Sequence, residues 1–448
     1  MTETVSTRSC PQCGVAFESD PRYSDWCPSC EWNLAEPPIS RRTAHRRARE
    51  LARAEAWYAR LAKPGSAGRI SGSDLAAAVL ASLVHLVTLA VAAGSIWLLL
   101  TGQIILMVLG VVGAGLVWLL RPRFGGLRED TAQVTREEAP QLHELIERIA
   151  DELGVRRPDR LRVQAGYLTT YSRRGVRQEV ELTIGLALWT VLTPQQRIAM
   201  LARELGHGAV GSPRHGLWLR LALDTLDAWY GLLMPGHGDE LMSAGFRSAG
   251  LAGYRDDVVS AAAVQVQIRG SAQRALMDGL ANRLLLLAAL PVRLARYCLH
   301  WLLVRGSQQA EYAADDLAVR VASPSAATAM LDALFLEELA AAYLRRQRAL
   351  VGHGGVARPA DIAEALWSGL ADSVASVPEL EHERRRRLAI RQAAAVDAWH
   401  PPTHLRIRRQ SERPEQAATI LADTVDWTVL HAELEDSRWR TAILVLGI

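Results

Sequence analysis

The chain has almost no excess charge of either sign, few cysteines, and no apolar run in its first forty residues. Its 51 Lys and Arg against 48 Asp and Glu leave a formal charge of +3 over 448 residues. That balance is too mild to point to nucleic acid. The polar opening lacks an apolar h-region, so no cleavable signal peptide is expected. Five cysteines occur, four of them in the first thirty residues, which suits a metal site better than a disulfide framework. Charge is also missing from Leu75 to Leu100 and from Ile104 to Leu120, which sets both stretches apart from the helices of a soluble core. The length allows more than one folded unit.

What is present begins with Cys10-Pro-Gln-Cys13 and Cys27-Pro-Ser-Cys30, two Cys-x-x-Cys knuckles thirteen residues apart. Four thiolates from two tight turns make a closed tetrahedral zinc site, which is structural rather than catalytic. Residues 1–36 are therefore expected to be a zinc ribbon, and thiolates kept for metal favour a reducing compartment. Residues 37–73 hold a basic helix and linker. Arg41 to Lys63 is rich in Arg and Ala, with Leu51, Trp57 and Leu61 at helical spacing. A helix lying near anionic lipid headgroups and a solvated linker helix both fit it, and Lys63-Pro64-Gly65-Ser66 ends it.

Residues 74–121 read as a transmembrane helical hairpin. Leu75 to Leu100 is long enough to span a bilayer, and Ile104 to Leu120 is about the minimum spanning length. Thr101-Gly102-Gln103 makes the turn. Gly110, Gly113 and Gly115 permit close helix approach, and His85 is read as a polar residue facing the partner helix. Arginines flank the outer ends, in the Arg41–Arg69 region and at Arg121, Arg123 and Arg128, and the turn has none. The positive-inside rule then puts both ends, and both termini, in the cytoplasm of a multi-pass inner-membrane protein.

From Ala139 the pattern turns globular. Leu142, Leu145, Ile149 and Leu153 predict an amphipathic helix stopping at Gly154. Leu161 to Ala165 and Glu179 to Ile184 predict strands, the second after a turn at Arg173-Arg174-Gly175. The key stretch is Pro194 to about Gly208. Thr193 is its expected N-cap, Pro194 suits the first helical position, and Gln196 completes a capping box. It carries Arg203-Glu204-Leu205-Gly206-His207, one letter short of His-Glu-x-x-His. In that motif two His at i and i+4 bind zinc and the Glu polarises water. A strand edging such a helix can hold a polypeptide backbone as an added strand; a plain sheet packed on helices fits equally.

Leu217 to Met234 is helical, and His237 to about Gly253 is a Gly-rich loop. Leu276 to Val304 is apolar but interrupted by Arg283, Pro291, Arg293 and Arg296, which suits an interfacial or groove-lining helix better than a deep span. Cys298 is expected to be a small buried hydrophobe. Gln309 to Asp316 opens a helix bearing Glu311 and Asp315, and a long helix runs from Pro324 to about Leu350. Glu383 to Arg387 is read as a solvated basic face. His400-Pro401-Pro402-Thr403-His404 is a rigid turn before Leu405 to Arg409. The tail ends strand-like, from Ala442 to Ile448.

Together these features resemble the HtpX-like membrane zinc endopeptidases, the family that includes the CAAX-prenyl endopeptidases, in a bacterial branch with an N-terminal zinc ribbon. The match runs from about Leu75 to Arg409. The resemblance implies a mainly α fold with a small β-sheet: a zincin-like peptidase domain over 135–410, the hairpin and the ribbon, with 411–448 a C-terminal extension. It implies Glu204 as general base, His207 and Glu311 as zinc ligands, Asp315 supporting a ligand, and His400 beside the metal.

Arg203 stands at the family's first ligand. A guanidinium stays protonated and has no lone pair for zinc. Its charge also opposes a nearby cation by about 4 kcal/mol at 4 Å and an effective dielectric of 20. His215, His400 and His404 are geometric candidates to replace it. The alternative is that Arg203 takes the metal's place, its planar fork pairing with Glu311 or Glu204. Three functions follow: a membrane-anchored zinc metalloendopeptidase (a hydrolase) with a weakened or lost site; a pseudoenzyme that binds polypeptide or a membrane partner; or partner docking through the ribbon. The expected partners are the bilayer and a polypeptide or protein, with no nucleic acid; the expected cofactor is structural zinc.

Overall fold

The computed structural model describes residues 6–34, 40–61, 72–119, 132–174, 177–210, 216–233, 271–351, 359–392 and 400–447. Lys63 to Ser66, Arg121, Arg123, Arg128, Gly175, His215 and the stretch from His237 to Gly253 lie outside the described residues. The protein is mainly helical with small sheets. Its contacts divide it into two compact units, Met1–Arg69 with Gly125–Ser212 and Ser307–Ile448, and Ile70–Phe124 with Pro213–Gly306.

In the first unit the N-terminal module pairs β1 (Ser6–Ser9) antiparallel with β2 (Ala16–Ser19). Helix α1 (Arg41–Leu61) follows. Its buried residue is Tyr58, which packs on Tyr312 and Leu405 and donates a hydrogen bond to Glu412 (3.1 Å). In the second unit α2 (Gly72–Leu100) packs on α3 (Ile104–Leu119). A Cβ on Gly113 would lie 2.3 Å from the Ser95 hydroxyl, and one on Gly110 2.8 Å from Leu99, whereas Gly115 meets nothing within 4 Å. Two of the three glycines thus set the approach. His85 faces a different partner from the one expected: its Nε2 donates to the Trp218 carbonyl (3.0 Å) on α7 (Leu217–Leu233).

A four-stranded sheet in the order β3-β4-β6-β5 forms the frame of the first unit. It comprises β3 (Gln133–Val134), β4 (Arg160–Gln164), β5 (Thr170–Arg174) and β6 (Glu179–Gly185). β4 and β6 are parallel with Leu161 opposite Leu182; β5 is the antiparallel edge, with Tyr171 opposite Leu182. Helix α4 (Pro140–Leu153) lays Leu142, Leu145, Ile149 and Leu153 into the core and ends at left-handed Gly154. After α5 (Leu186–Val191) comes α6 (Pro194–Val210), where the Thr193 amide donates to Gln196 Oε1 (3.0 Å), one arm of the expected capping box.

Beyond α6 the structure corrects several expectations. Gln309 to Asp316 does not open a helix but lies late in α8, a 52-residue helix from Ser271 to Ala322 that runs through Pro291. Pro324 to Leu350 is broken into α9 (Pro324–Ala333), a 3-10 turn at Leu334–Leu336, and α10 (Glu337–Leu350). After α11 (Pro359–Ala375) comes α12 (Glu379–Arg391), and its basic run is not a solvated face. Arg384 and Arg385 pair with Glu381, Arg386 with Asp332, and Arg387 with Glu383 and Glu31. Pro402 precedes α13 (Thr403–Ser411). The tail is helical, α14 (Trp427–Glu433) and α15 (Glu435–Leu446), rather than a strand. Leu430, Leu434, Ala442 and Leu446 all enter the core, so the apolar residues are spent on a helix face.

Two described helices are long and apolar enough to cross a membrane, Leu75–Leu100 and Leu286–Ala322. The second arm of the expected hairpin is a 16-residue helix, about 24 Å long at 1.5 Å per residue.

The tail is locked to α6 through Arg197. Its guanidinium lies 5.1 Å from the Trp189 ring and 5.5 Å from that of Trp427; it donates to the Trp189 carbonyl (2.9 Å) and to His431 Nε2 (2.5 Å). His431 must be neutral to accept that bond. Burial, then the cations Arg197 and Arg438, lower its pKa from 6.5 against the opposing effect of Glu364. The unfolded chain therefore takes up a proton before the folded one as pH falls. Stability should decline below about pH 6.5, by up to about tenfold in the unfolding constant per pH unit, until the folded pKa is reached. Thermal unfolding of wild type and His431→Gln between pH 7.5 and 5 checks this: the variant should lose that part of the slope.

Candidate functional site

Helix α6 is buried from Arg197 to His207, so each of its charged groups needs a partner. Residues Arg203 and His207, four apart, share one face. They meet Glu311 and Asp315, also four apart, on α8. Gly206 permits the crossing: a Cβ there would lie 3.3 Å from Leu317 Cδ1 and 3.4 Å from the Ala314 backbone. Neither glycine nor crossing was assigned a role from the sequence.

The Arg203 fork is shared between two carboxylates. Nη1 donates to Glu204 Oε1, Nη2 to Glu311 Oε2 (2.5 Å), and Nε lies 3.2 Å from Asp315 Oδ1. Asp315 in turn takes a bidentate pair from Arg406 on α13, Nε to Oδ2 at 2.7 Å and Nη2 to Oδ1 at 2.6 Å. Arg406 and Glu311 are fully buried, and Arg203 is 9% exposed. The second oxygen of Glu204 accepts the Tyr171 amide (3.2 Å) from edge strand β5. The second oxygen of Glu311 faces His400 Nε2 at 3.3 Å and His207 Nε2 at 3.6 Å.

Two guanidiniums thus face three carboxylates, with two imidazoles beside the remaining negative charge. Burial works to raise Glu311, but Arg203, His207, His400 and Arg406 outweigh it and hold it well below the usual carboxylate range. Burial works to lower Arg203, and Glu204, Glu311 and Asp315 outweigh it in turn, keeping the guanidinium charged. Neither oxygen of Glu204 is left to a water without displacing Arg203 or Tyr171. His404 is not part of the cluster; burial first, then Glu55 and Arg408, govern its pKa, which is lowered.

The second site is the N-terminal module. The amides of Gly14 and Glu31 close the two knuckles on the carbonyls of Cys10 and Cys27 (2.9 Å each). Cys10 and Cys30, and Cys13 and Cys27, have their sulfurs 3.6 Å apart. A tetrahedral ion with metal–sulfur bonds of about 2.3 Å would set them about 3.8 Å apart. Backbone amides of Cys30 and Ser29 hold the Cys27 thiol down at about 6 against burial, while burial pushes Cys30 up to about 12. Four sulfurs so close do not all ionise alone, and a divalent cation resolves that. These four cysteines could hold a metal such as zinc. Among the described residues, His207, Glu311 and His400 do not form a second group of ligand atoms all within 4.8 Å of one another.

Set against family models, curated proteins and solved structures, the chain matches none of them.

The sequence reading missed Arg406 and the Tyr171 amide. Arg406 lies in an arginine-rich stretch that nothing local distinguishes, and its partner is 91 residues away. A backbone amide carries no side-chain signal at all. Removing the central cation should be costly. Arg203→Met leaves Glu204 and Glu311 buried without it, a loss of about 3–5 kcal/mol in chemical denaturation. Adding Glu311→Gln should recover part of that loss, which a double-mutant cycle would measure.

Proposed function

We propose that this chain is a membrane-anchored pseudopeptidase. In this reading it descends from the HtpX-like zinc endopeptidases, keeps their helix and edge strand, and has exchanged the catalytic zinc for the side chain of Arg203. One observation carries the reading: a single buried guanidinium bridges Glu204 and Glu311, the two carboxylates the family would use as base and ligand. A permanent cation on both leaves neither to a metal or its water. Zinc is then held by Cys10, Cys13, Cys27 and Cys30 alone, in a structural role. The apolar helices anchor the chain, with both termini and the peptidase-like region in the cytoplasm. The retained function is the binding of a polypeptide or a protein partner at the membrane.

Metal analysis of the purified chain tests this. About one zinc per chain is expected, lost in Cys13→Ser and kept in His207→Ala and Glu311→Ala. No chelator-sensitive cleavage of an unfolded protein substrate should be found in the wild type. Arg203→His restores an imidazole at the first ligand position and should raise the content toward two. Two zincs in the wild type, the second lost in Glu311→Ala, would sink the proposal.

A further inference from the structure

The N-terminal module rests on helix α12, and the contacts concentrate on its second knuckle. Arg387 Nη1 donates to the Pro28 carbonyl (2.6 Å), between Cys27 and Cys30, and lies 3.4 Å from Glu31 Oε1. The Arg387 guanidinium stacks 5.2 Å from the centre of the Trp26 ring. Arg391 Nη1 donates to the Leu34 carbonyl (3.0 Å), and its Nη2 pairs with the other oxygen of Glu31. Trp26, 1% exposed, donates to the Leu380 carbonyl (3.2 Å) at the start of the helix. Leu380 itself packs against the cluster of Cys10, Phe17 and Cys27.

Every acceptor offered to Arg387 and Arg391 belongs to the knuckle or the turn just after it. Glu31 and Asn33 both take left-handed backbone, at φ 58° and 57°, a conformation that costs energy for residues other than glycine. The Glu31 amide bonds the Cys27 carbonyl and the Cys27 amide bonds the Trp32 carbonyl, which ties that turn to the cysteine. Two four-residue strands and three core side chains are too little to fold unaided, so such a module takes its folding energy from its metal. Four thiolates around a divalent ion also carry net negative charge, complementary to the two arginines.

We propose that the four-cysteine module is a metal-dependent clamp on α12. With metal bound, the knuckle presents the Pro28 and Leu34 carbonyls and the Glu31 carboxylate, and α12 is held. Without it those acceptors disperse, and Arg387 and Arg391 lose their partners. The effect reaches further, because α12 packs on α13, the helix that carries Arg406 to Asp315. Metal occupancy at the N-terminus therefore regulates how firmly one wall of the Arg203 cluster is held. The proposal rests on the docking contacts and not on whether the cluster once bound zinc.

Hydrogen exchange on the full chain in detergent, with and without treatment by EDTA, tests it. Metal removal should speed exchange in Glu379–Arg391 by at least about tenfold, the equilibrium factor for one charge-assisted hydrogen bond. Exchange in Thr403–Ser411 should rise less, and strand Glu179–Gly185 should stay protected. The double variant Arg387→Ala, Arg391→Ala should loosen α12 in the same way while keeping its zinc. Protection of α12 unchanged by metal removal, or lost together with that of Glu179–Gly185, overturns the proposal. So does a double variant whose α12 exchanges as slowly as wild type.

Discussion

The charge of one arginine holds the centre of the larger unit together. Three buried carboxylates converge where α6, α8 and α13 meet, and without Arg203 and Arg406 they would repel one another in a low-dielectric interior. The two guanidiniums are not equivalent. Arg406 serves one carboxylate with a parallel fork, whereas Arg203 divides its fork between neighbours on different helices. A metal ion bridges ligands from separate elements in the same way. That is why an arginine can replace one without collapse of the surrounding helices.

Much of the fold is legible from short-range signals. The two cysteine knuckles, the apolar helix from Leu75 to Leu100, the capping residues Thr193 and Gln196, and strands β4 and β6 each declare themselves within a few residues. Pairing of Arg203 with Glu204 and Glu311 was also foreseeable, because a charge buried on an apolar helix must find a partner. What stayed hidden depends on sequence-distant contacts. The arginines of α12 look like a solvated face because Glu31 and Pro28 lie more than three hundred residues earlier in the chain. The helical tail reads as a strand because a short apolar run has no periodicity of its own until the core supplies one.

The same logic explains the length of α8. Pro291 and several arginines break its apolar pattern, yet the helix persists from Ser271 to Ala322. Proline removes one backbone donor and need not end a helix whose neighbours hold it in place. Its last turns are set by Glu311, Asp315 and the close passage at Gly206, where backbone meets backbone and leaves no tolerance for a larger residue. Helix spacing at the cluster is thus fixed by main chain, and only its electrostatics by side chains.

The bond from the Tyr171 amide to Glu204 has a consequence for the sheet's outer border. Strand β5 is an edge, and an open edge is a template for uncontrolled pairing with other chains. Here one of its outward donors is already spoken for by a buried carboxylate. An approaching extended segment would find that rung withdrawn from the ladder, so the border is blunted at its midpoint by the very residue that hydrolysis would have required.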